Sequence, residues 1–255
     1  MRIDTFAYSN RWRNLHPGEK GLFALLSLIA SLLSSSALVP LLVAAVMAAA
    51  TLLGARIPWR EYLRLAALPA IFLLWSCLLL AVSFSGGDIL LVKFPPLHLT
   101  VSLSHSGIER GELALARSMG ATLSLLFLAL STPMTEIMAL LKTLGIPKLL
   151  IELMTITYRQ LFIFMEIAGQ IRAAQEARLG YASNGSTMKS LGGLSGNILM
   201  RSLSRARGNH QGLLARGYDS EILFLSPPRS LSPFNLIGGG VFGTTLIILA
   251  LTIKP

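Results

Sequence analysis

LAALPAIFLLWSCLLLAVSF, residues 65 to 84, runs for twenty positions without a charged side chain. Roughly 20 mostly apolar residues is the length a helix needs to cross a bilayer core, so this stretch reads as a transmembrane helix. Pro69 should kink it rather than end it, because neighbouring helices can satisfy the freed carbonyl. Cys77 lies within it as a small packing residue, since apolar burial disfavours the thiolate. Working outward, residues 21 to 36 and 38 to 55 form two further apolar runs back to back, with Ser34, Ser35 and Ser36 marking the turn. On the other side, 111 to 131 carries Glu112 and Arg117 near its start, which leaves 118 to 131 as its apolar part. These two ionisable groups read as interfacial anchors or as partners of a neighbouring helix. A last run, 235 to 253, holds Gly238, Gly239, Gly240 and Gly243, which allow close helix packing in membranes. The expected fold is therefore an all-α membrane protein with five or six transmembrane helices and further long helices outside the bilayer.

Composition agrees with that reading. Of 255 residues, 53% are hydrophobic and 13% charged, where soluble domains carry about 25% charged. Mean hydropathy is +0.64. The net charge of +10 could suit a nucleic-acid binder, but here membrane-length apolar runs interrupt the Lys and Arg residues. Position therefore matters more than the total. Arg2, Arg11, Arg13 and Lys20 precede the first run, and Arg56, Arg60 and Arg64 follow the second, which places both regions in the cytoplasm. Residues 85 to 107 contain Lys93 as their one basic residue. There Leu97, Leu99, Val101 and Leu103 alternate with His98, Thr100, Ser102 and Ser104, the pattern of a short external hairpin.

This gives four segments. Residues 1–20 form a cytoplasmic N-terminal segment, and 21–131 hold four transmembrane helices with an external loop at 85–107. Residues 132–230 are a cytoplasmic or interfacial helical region, and 231–255 hold the last transmembrane helix. No cleavable signal peptide is expected, since the first apolar run is followed at once by another.

The region from 133 to 230 is unusual, because it combines many Leu, Ile and Met residues with 11 Lys or Arg against 6 Asp or Glu. Pro133 to Leu144 reads as a short helix opened by Thr132 and closed at Gly145. A long helix then runs from Pro147 toward Leu179, with Glu152, Arg159 and Glu166 forming a polar stripe. It finishes Ala177-Arg178-Leu179-Gly180-Tyr181. A second helix, from about Met188, finishes Ala215-Arg216-Gly217-Tyr218-Asp219. Allowing one inserted residue, with Gly180 matched to Gly217, the two tips repeat. A cation in the last turn and glycine after it are what any helix end favours, yet two such tips also suit clefts in an acidic partner.

Catalytic motifs are missing. Gly192-Gly193-Leu194-Ser195-Gly196 lacks the Lys and hydroxyl of a phosphate loop, so no ATP hydrolysis is expected from this chain. Glu176 and Asp219 beside the tips have no base or metal partner in sequence. One cysteine and four scattered histidines, His16, His98, His105 and His210, offer no metal cluster.

Asp4, Ala7-Tyr8, Asn10-Arg11 and Pro17-Gly18-Glu19-Lys20 resemble the N-terminus of the CbiQ family, the transmembrane (T) component of cobalt-type energy-coupling-factor transporters. Thr132-Pro133 to Gly145-Ile146-Pro147, Thr157-Tyr158-Arg159, Arg201-Ser202-Leu203 and Leu214 to Asp219 resemble the body of that family. The resemblance covers nearly the whole chain. It implies a non-catalytic scaffold in a bacterial inner membrane, N-terminus inside. Such a scaffold links two ABC-type ATPase subunits, which hold ATP and Mg, to a separate CbiM-like substrate-binding S component. The chain itself would carry no cofactor or metal and would meet lipid but no nucleic acid. Ala177, Arg178 and Gly180, and Ala215, Arg216 and Gly217, would be the ATPase-docking tips of coupling helices. Leu179 departs from the family's usual glycine, which puts the shape of the first tip in question. Cobalt is the expected cargo, with nickel or a vitamin as alternatives, and a self-sufficient secondary transporter as a reading from another class.

Overall fold

A computed structural model describes residues 2–83, 89–94, 99–103, 105–217 and 232–253. It is helical apart from one small sheet, with helices α1 Arg2–Ser9, α2 Pro17–Leu33, α3 Leu38–Ala49, α4 Trp59–Ala81, α5 His105–Ser131, α6 Met134–Thr143, α7 Lys148–Ala177, α8 Asn184–Ala215 and α9 Pro233–Thr252. Three of these segments, Trp59–Leu79, Gly107–Ser131 and Pro233–Thr252, are long and apolar enough to cross a membrane. Two further apolar stretches, α2 and Leu38–Gly54, are each 17 residues long, the short end of the spanning range.

The chain divides into two compact units, one of residues 2–137 with 227–255, the other of residues 138–226. In the first, α5 packs against α2, α3 and α4, while α9 packs against α2. Phe127 of α5 is fully buried at the centre, met edge-on by Trp12 at 5.6 Å and Phe23 at 5.7 Å between ring centroids. Gly54 leaves the space that the Trp12 ring fills. At Gly120 a side chain would run into Ser31 Oγ and the Pro40 carbonyl, so α5 comes close to both α2 and α3 there, as small residues permit. The outer faces remain apolar: Leu68, Phe72 and Trp75 on α4 and Phe234, Ile237 and Leu251 on α9 are exposed. Such surface is costly in water and suited to lipid.

Element boundaries follow local chemistry. Helix α4 continues through Pro69 and begins at Trp59, so Arg60 and Arg64 lie on its first turns and not in a loop. There Arg64 pairs with Glu61 at 3.2 Å and Arg60 lies over the Trp59 ring. A π-turn at Ala50–Gly54 extends α3. The expected hairpin is present: strands β1 Val82–Ser83, β2 Ile89–Phe94 and β3 Leu99–Leu103 form an antiparallel sheet in the order β1-β3-β2. Pro95, Pro96, Leu97 and His98 lie outside the described residues, as do Tyr218 and Asp219 after the second tip.

Candidate functional site

In the unit of residues 138–226, α7 and α8 are joined by a turn at residues 178–183. Helix α8 starts at Asn184, four residues before its expected start, because Ser183 and Ser186 form a reciprocal capping box. It then runs 32 residues to Ala215, about 48 Å of helix at 1.5 Å per residue. The two Arg-bearing tips therefore lie at opposite ends of α8.

Ala177 is the last residue of α7 and Arg178 its C-cap, at φ −95° and ψ 16°. Leu179 then turns left-handed, with φ +58°. Its N–H donates to the Glu176 carbonyl at 3.0 Å, and the Gly180 N–H donates to the Gln175 carbonyl at 2.8 Å. This bond pair is a Schellman cap, which satisfies carbonyls the helix end leaves over. Side chains hold the turn from beneath. Tyr181 donates its hydroxyl proton to Gln175 Oε1 at 2.8 Å, Gln175 Nε2 donates to the Ser190 carbonyl at 2.9 Å, and Ser190 Oγ donates to the Gly180 carbonyl at 2.8 Å. Arg172 donates to Glu176 at 2.8 Å and lies over the Tyr181 ring. The hydrogen bond and charge of Glu176 hold the Arg172 guanidinium above even its usual high pKa. Glu176 is thus paired with Arg172 on the last turns of α7.

The second tip repeats this backbone. Ala215 ends α8, and Arg216 is the C-cap at φ −95° and ψ 10°. Gly217 follows at φ +72°, its N–H donating to the Leu214 carbonyl at 3.0 Å. The tips therefore superpose as Ala177-Arg178-Leu179 on Ala215-Arg216-Gly217, with no inserted residue. Matching Gly180 to Gly217 was a sequence expectation that the dihedral angles correct: Leu179 takes the left-handed position. Gly180 is glycine for another reason, since a Cβ there would sit 2.6 Å from Ser190 Oγ and 2.9 Å from the Gln175 carbonyl oxygen. Ala177, Arg178, Ala215 and Arg216 are all exposed.

The bonding of several buried polar residues is not legible in the sequence, although Asn10, Glu19 and Lys20 belong to the N-terminal motif and Arg117 reads as a partner of a neighbouring helix. Asn10 Nδ2 lies within 2.8 to 3.3 Å of the carbonyls of Phe6, Ala7, Leu130 and Ser131. Lys20, which is 3% exposed, donates to the Ser131 carbonyl at 3.0 Å and lies 3.9 Å from Glu136. Glu19 accepts from the Ser232 N–H at 2.8 Å and from Asn235 Nδ2 at 3.3 Å, capping the start of α9. Arg117 donates from Nε to the Ser34 carbonyl at 2.8 Å, and Ser31 Oγ donates to the Arg117 carbonyl at 2.9 Å. These groups tie helix ends together. Among the described residues no group of three or more His, Cys, Asp or Glu side chains could hold a metal ion.

Three helices of spanning length with lipid-suited outer faces, together with a long helix pair that carries two matched arginine caps, define an all-α membrane protein. Residues 9–229 match the CbiQ family, whose description is cobalt transport protein. The chain belongs to that family and is a membrane component of cobalt transport. It is 34% identical over 239 residues to the cobalt transport protein CbiQ of Rhodobacter capsulatus, covering 92% of this chain and 91% of that one. It is 31% identical over 252 residues to an uncharacterised protein of Methanocaldococcus jannaschii, covering 99% and 93% respectively. A putative fused cobalt transport protein, CbiMQ, of Methanocorpusculum labreanum matches 94% of this chain at 27% identity, over 40% of its own length.

Proposed function

We propose that this chain is the energy-coupling scaffold of an ATP-driven cobalt importer. It joins ABC-type ATPase subunits in the cytoplasm to a separate CbiM-like membrane subunit that binds the metal. The observation that carries this reading is the repetition of one exposed cap, Ala-Arg followed by a left-handed residue, at both ends of α8. An Arg held at a rigid C-cap presents a fork that bonds a carboxylate bidentately and stays charged at any physiological pH. Two such forks separated by about 48 Å of helix suit two distinct receiving surfaces and cannot share one small pocket.

In this mechanism, closure of the ATPase subunits on ATP displaces the surfaces that grip Arg178 and Arg216. Helices α7 and α8 carry that displacement to the bilayer, where the metal-binding subunit is reoriented. ATP and Mg belong to the ATPase partners, and this chain performs no hydrolysis. The fusion named in the Methanocorpusculum labreanum relative supports a CbiM-type neighbour, and N-terminus-in orientation follows from the Lys and Arg distribution.

The test is detergent co-purification with purified ABC-type ATPase subunits, comparing wild type with Arg178→Ala, Arg216→Ala and the double change. Truncating one partner of a desolvated, hydrogen-bonded charge pair costs about 2 to 5 kcal/mol, so each single change should weaken assembly and the double change should release the ATPase. Unchanged assembly in the double variant would reduce both tips to ordinary capped helix ends.

A further inference from the structure

Two short stretches, far apart in sequence, carry five arginines that the fold draws together. Arg11 and Arg13 lie on a short 3-10 helix, Arg11–Asn14, and the Arg11 N–H donates to the Ala55 carbonyl at 3.3 Å. Between them the Trp12 ring fills the space over Gly54 and meets Phe127. The first stretch is thereby seated on the second, where Arg56 precedes α4 and Arg60 and Arg64 occupy its first two turns. All five arginines are exposed. Residues 11–14 and 55–64 contain one carboxylate, Glu61, and it pairs with Arg64 at 3.2 Å. Among the described residues, Arg11, Arg13, Arg56 and Arg60 have no carboxylate within salt-bridge distance. Their charge is therefore left for something outside the chain to balance.

The same surface continues as apolar side chains. Trp59 and Leu63 are exposed on the turns that carry Arg60 and Arg64, and Leu68 and Phe72 extend that exposure along α4. They belong to Trp59–Leu79, a segment long and apolar enough to cross a membrane. Arg60 lies over the Trp59 ring, 5.5 Å from its centroid, and tryptophan at the end of a span sits at headgroup level. An acidic protein would complement the arginines alone. A molecule with an anionic head and apolar tails complements both parts, and a guanidinium fork can bond a phosphate through two parallel hydrogen bonds. We propose that Arg11, Arg56 and Arg60 form a binding site for the phosphate headgroup of an anionic phospholipid, whose acyl chains lie along the exposed face of α4. This site is independent of the ATPase-docking reading.

The experiment is native mass spectrometry of the full-length chain in detergent, titrated with phosphatidylglycerol or with phosphatidylcholine of the same acyl chains. Wild type should bind phosphatidylglycerol about tenfold more tightly or better, and added salt should shrink that preference. Arg11→Gln, Arg56→Gln and Arg60→Gln should each lose about fivefold, the usual worth of one cation at an anionic membrane surface. The triple variant should bind the two lipids within about twofold of each other. Arg201→Gln, Arg205→Gln and Arg207→Gln combined remove the same charge from α8 and should keep the wild-type preference. Exposed substitutions of this kind should shift unfolding in lipid-free detergent by about 2 °C or less; were the triple variant to unfold early, the three single variants carry the same test. A preference that survives the triple change, or that the α8 variant loses equally, would overturn the proposal. Displacement of phosphatidylglycerol by inorganic phosphate at the lipid's concentration would reduce the patch to a simple anion site and likewise overturn it. Equal binding of both lipids by wild type would overturn it too, and leave the arginines to an acidic protein.

Discussion

Adjacent positions 179 and 180 respond to opposite demands, one on dihedral angle and one on space. A methyl group at Gly180 would meet Ser190 Oγ at 2.6 Å and the Gln175 carbonyl oxygen at 2.9 Å. Gly180→Ala is therefore expected to open the first tip at a cost of about 1 to 3 kcal/mol, the usual range for overpacking. Hydrogen exchange of amides 178–183 should show the lost protection. Leu179→Gly should act in the other direction, by roughly 0.5 to 1 kcal/mol once the added unfolded-state freedom is counted, and should slow exchange at the same amides. Equal effects at both positions would contradict the division of roles. The sequence showed that each helix ends at an Ala-Arg pair, because the cap chemistry is local. It did not reveal which residue turns left-handed, because the contact that requires Gly180 comes from Ser190, on the next helix.

Among elements, the apolar runs and their stops were legible for similar reasons: spanning length and the serines at 34–36 depend on neighbours in sequence. Helix α6 likewise ends where Gly145 was expected to close it, at φ +83°. What was not legible is how the elements are tied together, since those partners lie far apart in the chain. The Glu19 carboxylate, 213 residues before Ser232, caps α9, where a negative charge also complements the helix dipole. Glu19→Gln keeps the shape and removes the charge. It should loosen the start of α9 by about 1 to 2 kcal/mol, measured as faster proteolysis on its N-terminal side with the rest of the bundle intact. Unchanged cleavage would mean that α9 is held by its apolar contacts alone. Gly120→Leu tests the closest helix approach. The added side chain has Ser31 and the Pro40 carbonyl in its way, so a drop in unfolding temperature with loss of monodisperse protein in detergent is expected. A folded, fully stable variant would show that α2, α3 and α5 do not need that approach.

At the scale of the molecule, the unit of residues 2–137 with 227–255 and the unit of residues 138–226 use their polar residues differently. The first unit buries several of them, as Asn10, Lys20 and Arg117 bond carbonyls at helix ends. The second presents cations outward, at Arg178 and Arg216. The proposed scaffold role asks for a unit fixed by its own internal bonds and a second unit completed by other proteins. The most direct test of that claim is cobalt uptake into vesicles reconstituted with this chain, the ATPase subunits and the metal-binding subunit, with ATP hydrolysis measured in parallel. The account predicts that Arg178→Ala with Arg216→Ala abolishes uptake while the ATPase subunits still hydrolyse ATP. Cobalt uptake that survives the double change, or that this chain sustains with no ATPase subunit present, would contradict it.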